Sequence, residues 1–253
     1  MTVRPPVTQR RAGWLPAVLP AARRLAVASC VGAVLGLLVG GVGGRLFMGL
    51  LADLNREDHG VITSDGFPMG EVTLSGTLNL FLIGTVLGVL GAGIHVGLRG
   101  LTLGPPWFRW LSTVVGGTVM VGATMVHEDG PDFTLLEPTW AAIGLSLAVP
   151  CLFLMVMAPL VDGATREGSW LMCSPAAWVG LAPWVFPLFF LVPVFALGWW
   201  LTRRAAAHPD ARRVGAWAAR GALVAVFIGG AIELGTEIAA IYETIGRGRY
   251  LLD

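Results

Sequence analysis

Two glutamates near the end of the chain, Glu233 and Glu237, have the type and spacing best suited to chemistry. They lie four positions apart in an apolar stretch, so on a helix both carboxylates project from the same face. Neighbouring carboxylates repel each other and favour a shared proton. The pair therefore suits a proton-binding or cation-binding site. The structural alternative is that Glu237 reaches the membrane surface while Glu233 is hydrogen-bonded between helices.

Three further polar residues, Arg45, Asn79 and His95, interrupt apolar stretches and are candidates for the same site. Arg45 is the candidate counter-ion for the two glutamates. Under the topology favoured below, however, Arg45 lies toward the outer side and Glu237 toward the inner side. Asn79 and His95 either form hydrogen bonds between helices or line a polar pathway.

Metal binding has weak support in two loops that combine carboxylates with imidazoles. The candidates are Asp58, His59, His127 and Asp129. Oxygen and imidazole ligands suit several divalent metals, but the spacing follows no fixed ligand pattern, and an ordered acidic cap explains the residues equally well. The three cysteines are widely separated and form no CxxC motif, which argues against a zinc or redox centre. We expect neither a metal nor a cofactor.

Glycines recur every four residues in the first apolar stretch, at Gly32, Gly36, Gly40 and Gly44. A shorter series, Gly84 and Gly88, lies in the second stretch. Such spacing places glycines along one helix face, where another backbone can approach closely. The two faces are expected to pack against each other within one chain. Self-association, or docking of a partner subunit through the first helix, is the alternative.

The amino-acid composition indicates that these residues lie in an apolar environment rather than in a soluble domain. The chain has 253 residues, of which 55% are hydrophobic and 13% charged, and its mean hydropathy is +0.73. Soluble domains carry about 25% charged residues. The composition excludes a soluble enzyme, a nucleic-acid-binding protein and a disordered protein. All 17 basic residues are arginine, a bias typical of a high-GC bacterium.

Six apolar stretches are long enough to cross a bilayer, which requires about 20 residues each. The sequence predicts an all-α, polytopic membrane protein with about six transmembrane helices in a single bundle over 25–246. A basic segment, 1–24, precedes the bundle and a short tail, 247–253, follows it. The approximate spans are 25–51, 72–98, 107–126, 139–161, 176–201 and 215–241.

Charge distribution predicts the orientation in a bacterial plasma membrane. The N-terminal segment holds five arginines and no acid, so it should stay in the cytoplasm. Six crossings then place both termini inside and the acidic loops 53–71 and 127–137 outside. The arginine-rich loop 203–213 violates the rule in this topology. One explanation is that the segment with Pro183, Pro187 and Pro193 is re-entrant rather than spanning. The other is that the arginine-rich loop pairs with the two acidic loops on the same outer face.

Three classes of function fit these patterns. The first is a small transporter or proton- or ion-handling protein that uses Glu233 and Glu237. The second is a non-catalytic assembly subunit that docks a membrane partner through the glycine face of the first helix. The third is a membrane-embedded enzyme acting on a lipid or isoprenoid. In the enzyme, the paired carboxylates would be general acid and base, and aromatic residues would line an apolar pocket: Trp184, Phe186, Phe189, Phe190 and Phe195. The expected partners are the lipid bilayer and a second copy or a membrane subunit, not nucleic acid.

Overall fold

The computed structural model describes residues 15–58, 60, 71–128, 131–134, 136–185 and 209–250. This part of the chain is helical and contains no strand, which confirms the predicted helical class. Among the described residues, four helices are long and apolar enough to cross a membrane: Val18–Leu54, Leu74–Leu98, Thr139–Ala164 and Arg213–Gly246. They correspond to the first, second, fourth and sixth predicted spans, and the bundle of six spans stays a prediction.

The first helix is continuous from Leu15 to Leu54 but changes its winding in the middle. It consists of α1 (Leu15–Leu35), a π-helical segment (Gly36–Gly43) and α2 (Gly44–Leu54). The other elements, after a short 3₁₀ turn at Arg56–Asp58, are α3 (Leu74–Leu98), α4 (Pro106–Met125), α5 (Pro131–Thr134), α6 (Thr139–Ala164), α7 (Trp170–Cys173), a 3₁₀ segment (Pro175–Trp184) and α8 (Pro209–Tyr250). At 42 residues, α8 extends well beyond the predicted span at both ends.

Local sequence signals set several helix boundaries. The Thr73 hydroxyl accepts a hydrogen bond from the Gly76 amide at 3.2 Å and caps the start of α3. Gly104 adopts a φ of +96°, which an L side chain rarely tolerates, and separates α3 from α4. Pro106 is the first residue of α4, where the missing amide hydrogen costs nothing. Ser169 caps α7 in the same manner as Thr73, accepting from Met172 at 3.1 Å.

The π-helical segment keeps the glycine series turned toward α3. Positions four apart drift by roughly 40° per step around an α-helix, because each residue turns by about 100°. The wider turn of Gly36–Gly43 counteracts that drift. Apolar side chains then fill the spaces on either side of this contact. One buried cluster, which includes Leu35, Val114 and Met157, joins the first helix to α3, α4 and α6.

Contacts between distant segments define two ends of the bundle. At one end Arg24 pairs with Glu167 at 3.5 Å, and Arg99 pairs with Asp162. We call it the arginine end. At the other end the Asn55 side chain accepts a hydrogen bond from the Glu137 amide at 2.7 Å. We call it the acidic end, because Asp53, Glu57 and Glu128 lie there.

Helix α8 runs from the arginine end to the acidic end, parallel to α4. Arg220 donates to the carbonyl of Leu101, in the loop between α3 and α4, at 3.1 Å. Further along α8, the Glu237 carboxylate accepts a hydrogen bond from the Glu128 amide at 2.9 Å, just after α4. The prediction that α8 runs the other way, with Glu237 at the end opposite the 127–137 loop, is therefore wrong.

The predicted fifth span also differs from the structure. Its first part, Pro175–Trp184, is a 3₁₀ segment rather than an α-helix; Pro183 lies within it and cannot donate an amide hydrogen bond. The segment packs on α1, where the Trp184 indole donates to the Ser29 hydroxyl at 2.7 Å. Four aromatic residues predicted to line a lipid pocket lie outside the described residues: Phe186, Phe189, Phe190 and Phe195.

Candidate functional site

The glutamate pair does not form a shared site between helices. The Glu237 carboxylate is 28% exposed, accepts the Glu128 amide hydrogen bond and lies 3.9 Å from Nδ1 of His127. The His127 ring in turn donates through Nε2 to the carbonyl of Thr124 at 3.1 Å, since a carbonyl can only accept. Glu237 therefore joins α8 to the end of α4 at the acidic end.

Glu233 lies one turn closer to the middle of α8, and its side chain is exposed on the outer surface of the bundle. The predicted site required both carboxylates to face the bundle interior or a water-filled cavity. Because Glu233 faces outward and Glu237 contacts a loop, the two carboxylates have different surroundings despite their i, i+4 spacing.

Arg45 is not the counter-ion of either glutamate. Its guanidinium donates to the Thr77 hydroxyl at 2.9 and 3.1 Å and to the Thr73 carbonyl at 3.3 Å. No carboxylate among the described residues lies within 4.0 Å of it. Arg45 thus links the start of α2 to the first turn of α3 by hydrogen bonds. The oxygens of Thr73 and Thr77 accept these bonds from its half-buried guanidinium.

The most closely associated ionisable side chains lie at the arginine end, where α3 and α6 meet. Nε2 of His95 lies 3.0 Å from Oδ1 of Asp162, and Arg99 bonds the same carboxylate oxygen. The His95 side chain is only 10% exposed, whereas that of Asp162 is 52% exposed. The Nε atom of Arg99 is buried and has no partner among the described residues. We call these three residues the His95–Arg99–Asp162 cluster.

Sequence reasoning includes His95 among the candidates but misses Asp162, although two signals point to it. His95 and Arg99 lie four apart at the end of α3, so they share a face. Asp162 lies at the end of α6, which runs parallel to α3, and the ends of parallel spans meet at the same side of a bundle. A lone acid and a basic pair at the same depth predict an ion pair.

The remaining polar candidates are dispersed. Asn79 is exposed on the surface of α3, on a different side from His95. Each residue turns an α-helix by about 100°, so the sixteen residues between them amount to four full turns plus roughly 160°. The two side chains therefore point to nearly opposite sides of α3. Of the metal candidates, His59 and Asp129 lie outside the described residues, as does the side chain of Asp58. Within the described part of the chain, no group of three or more potential ligands could hold a metal ion.

The structure brings the two glycine series together. A Cβ atom on Gly32 would lie 2.7 Å from Cβ of Ala92, and one on Gly84 would lie 2.6 Å from the Gly36 carbonyl oxygen. Gly40 also faces Gly84, at 3.1 Å from its Cα atom. At Gly32 and Gly84 these distances are too short for a real Cβ atom, so a side chain there would force the two helices apart. The glycine face of the first helix is therefore occupied by α3, from Gly32 as far as Gly40.

At Gly44 the contact loosens, because the neighbour is the Leu80 side chain at 3.4 Å rather than backbone. A cavity of about 200 Å³ opens at the acidic end between α6 and α8, lined by Glu137, Pro138, Thr139, Trp140, Tyr242 and Ile245. Ligand pockets usually enclose about 300–1,000 Å³. The cavity is small for a lipid or isoprenoid substrate.

No protein-family model, no curated protein and no solved structure matches this chain.

Proposed function

We propose that the protein is a membrane-embedded assembly subunit that binds another membrane protein through the face of α8 that the described residues leave exposed. The observation that carries this proposal is the exposure of Glu233 within the membrane-length helix Arg213–Gly246. A charged side chain at the centre of a membrane helix costs about 2.5–3.5 kcal/mol on insertion scales, and ionisable residues within membrane spans almost always have protein or water partners. No described residue covers the Glu233 side chain, and the proposal places a partner protein in front of it.

The surrounding surface of α8 supports the proposal. Only 17% of its membrane-length window is buried, against 44% for α6. A Cβ atom added to Gly221 or Gly229 would have no neighbour within 4 Å, and both glycines share a face with Ala225 and Glu233 at four-residue spacing. Small residues let a second helix approach closely, and a polar side chain adds an interhelical hydrogen bond.

Charge complementarity favours a different protein over a second copy. Two copies related by a twofold axis would bring the same surface together and set one Glu233 near the other. A partner helix with an arginine, lysine or amide side chain at that depth would instead neutralise or hydrogen-bond the carboxylate. The partner is therefore a transmembrane helix with such a donor. The glycine face of the first helix is not proposed for docking, because α3 occupies it.

Site-specific photocross-linking in cells tests this proposal. A benzophenone amino acid replaces Ile232, which is 62% exposed next to Glu233, and, as a matched control, Leu82, which is 63% exposed on α3. We expect a discrete adduct from position 232 and none from position 82. The adduct should be lost in Glu233→Leu, and its cross-linked residue should lie within one turn of a basic or amide side chain.

Three results would overturn the proposal. An adduct of twice 26.7 kDa that contains only this chain would identify a second copy as the occupant. Equal adducts from positions 232 and 82 would indicate unspecific crowding. Absence of any adduct from position 232 would leave lipid as the neighbour of Glu233.

A second candidate function, proton handling, has one observation in its favour. The nearly buried imidazole of His95 lies 3.0 Å from the half-exposed carboxylate of Asp162, and an imidazole can take up and release a proton. The predicted transport site at Glu233 and Glu237 gives this candidate less support, because those carboxylates lie on the outer surface and at a loop.

A further inference from the structure

Charged side chains are divided unequally between the two ends of the bundle. The arginine end holds seven arginines and two acids among the described side chains: Arg23, Arg24, Arg99, Arg109, Arg166, Arg213 and Arg220, with Asp162 and Glu167. The acidic end has the reverse ratio: Asp53, Glu57, Glu71, Glu128, Glu137, Glu237 and Glu243, with Arg45 and Arg56. A net charge of +1 for the whole chain conceals this separation.

Both acids of the arginine end are already neutralised within the chain. Asp162 binds Arg99, and Glu167 lies 3.5 Å from Arg24. Three other arginines, Arg109, Arg166 and Arg213, are exposed, and no described carboxylate lies within 4.0 Å of them. The surplus positive charge therefore points outward from the bundle.

Exposed tryptophans mark the depth at which these arginines lie. Five tryptophans are at the arginine end and more than a third exposed: Trp107, Trp110, Trp170, Trp178 and Trp217. Two of them carry a guanidinium over the ring at 5.0 Å, Arg23 on Trp178 and Arg220 on Trp217. Exposed indole rings prefer the headgroup level of a bilayer. Arg109 lies between Trp107 and Trp110 on α4 and must therefore be at headgroup level.

We infer that the arginine end is a binding surface for anionic phospholipid headgroups, with Arg109, Arg166 and Arg213 as the contacts. A guanidinium presents paired N–H donors that match phosphate oxygens in geometry and charge. The leaflet that faces this end supplies phosphates at the depth marked by the tryptophans. This binding is independent of the partner proposed for α8 and extends the protein's interactions to the lipid itself.

Quenching of tryptophan fluorescence by brominated lipids tests the inference. The full chain is reconstituted in phosphatidylcholine vesicles with increasing brominated phosphatidylglycerol, and then with brominated phosphatidylcholine. We expect stronger quenching by the anionic lipid, and a loss of preference of about fivefold for each of Arg109→Gln, Arg166→Gln and Arg213→Gln. The matched control, Arg56→Gln at the acidic end, should keep the wild-type preference.

If a variant does not fold, the salt dependence of the wild-type protein's lipid preference still tests the inference. Because the contacts are exposed, the preference should fall when the salt concentration is raised from about 0.1 to about 1 M. Equal quenching by both lipids, or an equal loss in Arg56→Gln, would overturn the inference. Inorganic phosphate that displaces the lipid more strongly than chloride at equal ionic strength would show a site for the free anion, which also contradicts it.

Discussion

Asp162 is the residue through which α3 and α6 are joined at the arginine end, because its carboxylate contacts both His95 and Arg99. The carboxylate is half exposed, so water screens the interaction and limits its contribution to stability. Its partners are more deeply placed, with His95 at 10% and Arg99 at 32% exposure. Loss of the carboxylate would therefore leave two basic side chains close together.

We expect Asp162→Asn to lower the free energy of unfolding by about 1 kcal/mol, the upper part of the range for partly exposed pairs. Unfolding of the purified protein in detergent, followed by circular dichroism, measures the change. Asp53→Asn is the matched control, since its partner Arg56 is 3.9 Å away and both side chains are more than three-quarters exposed. Equal losses in the two variants would contradict a structural role for the His95–Arg99–Asp162 cluster.

The same variant separates the two candidate functions. Proton handling through His95 requires that Asp162→Asn slow proton entry into proteoliposomes that contain a pH-sensitive dye. An assembly subunit requires no such change. Unaltered proton entry in folded Asp162→Asn would therefore remove the second candidate, whereas slower entry, with Asp53→Asn unchanged, would favour it.

At the scale of the helices, the contact between the first helix and α3 depends on the absence of side chains. We expect Gly88→Ala to destabilise the protein by about 1–3 kcal/mol or more, the usual cost of overpacking. The new Cβ would lie 2.8 Å from Cα of Gly36 and closer still to the Gly32 carbonyl. Backbone cannot move aside as a side chain can, so the two helices would have to separate.

Gly97→Ala, on the same helix, is the control for this substitution. No atom lies within 4 Å of its Cβ position, so the change should be neutral or gain up to about 1 kcal/mol from helix propensity. Thermal unfolding of both variants in the same detergent measures the difference. Similar stabilities for Gly88→Ala and Gly97→Ala would show that the close approach of the helices contributes little.

The helices and this glycine contact were accessible to sequence reasoning because each depends on a local pattern. Apolar length predicts a membrane helix, and four-residue spacing predicts a shared face. The direction of α8 was not accessible, because it follows from two long-range hydrogen bonds, at Arg220 and at Glu237. The outward position of Glu233 was missed for the same reason: its spacing from Glu237 defines a face but not what lies opposite that face.

At the scale of the whole molecule, the direction of α8 changes the expected topology. The 3₁₀ segment packs on α1 after leaving the arginine end, and α8 also starts from the arginine end. These two described elements start from the same end, as the re-entrant alternative predicts, and the six full crossings stay a prediction. The first helix starts at the arginine end and α8 finishes at the acidic end. By the positive-inside rule, we expect the arginine end to face the cytoplasm.

Cysteine labelling with a membrane-impermeant maleimide tests this topology in intact cells and in inverted vesicles. Cys173 is exposed at the arginine end and serves as the native reference, once half-buried Cys30 and Cys151 are replaced by alanine. We expect Arg213→Cys to be labelled from the same side as Cys173, and Thr244→Cys from the opposite side, each in a Cys173→Ser background. The comparison is internal, so it does not depend on which side is the cytoplasm. If position 213 is labelled from the side opposite Cys173, the segment before α8 spans the membrane, as six crossings require.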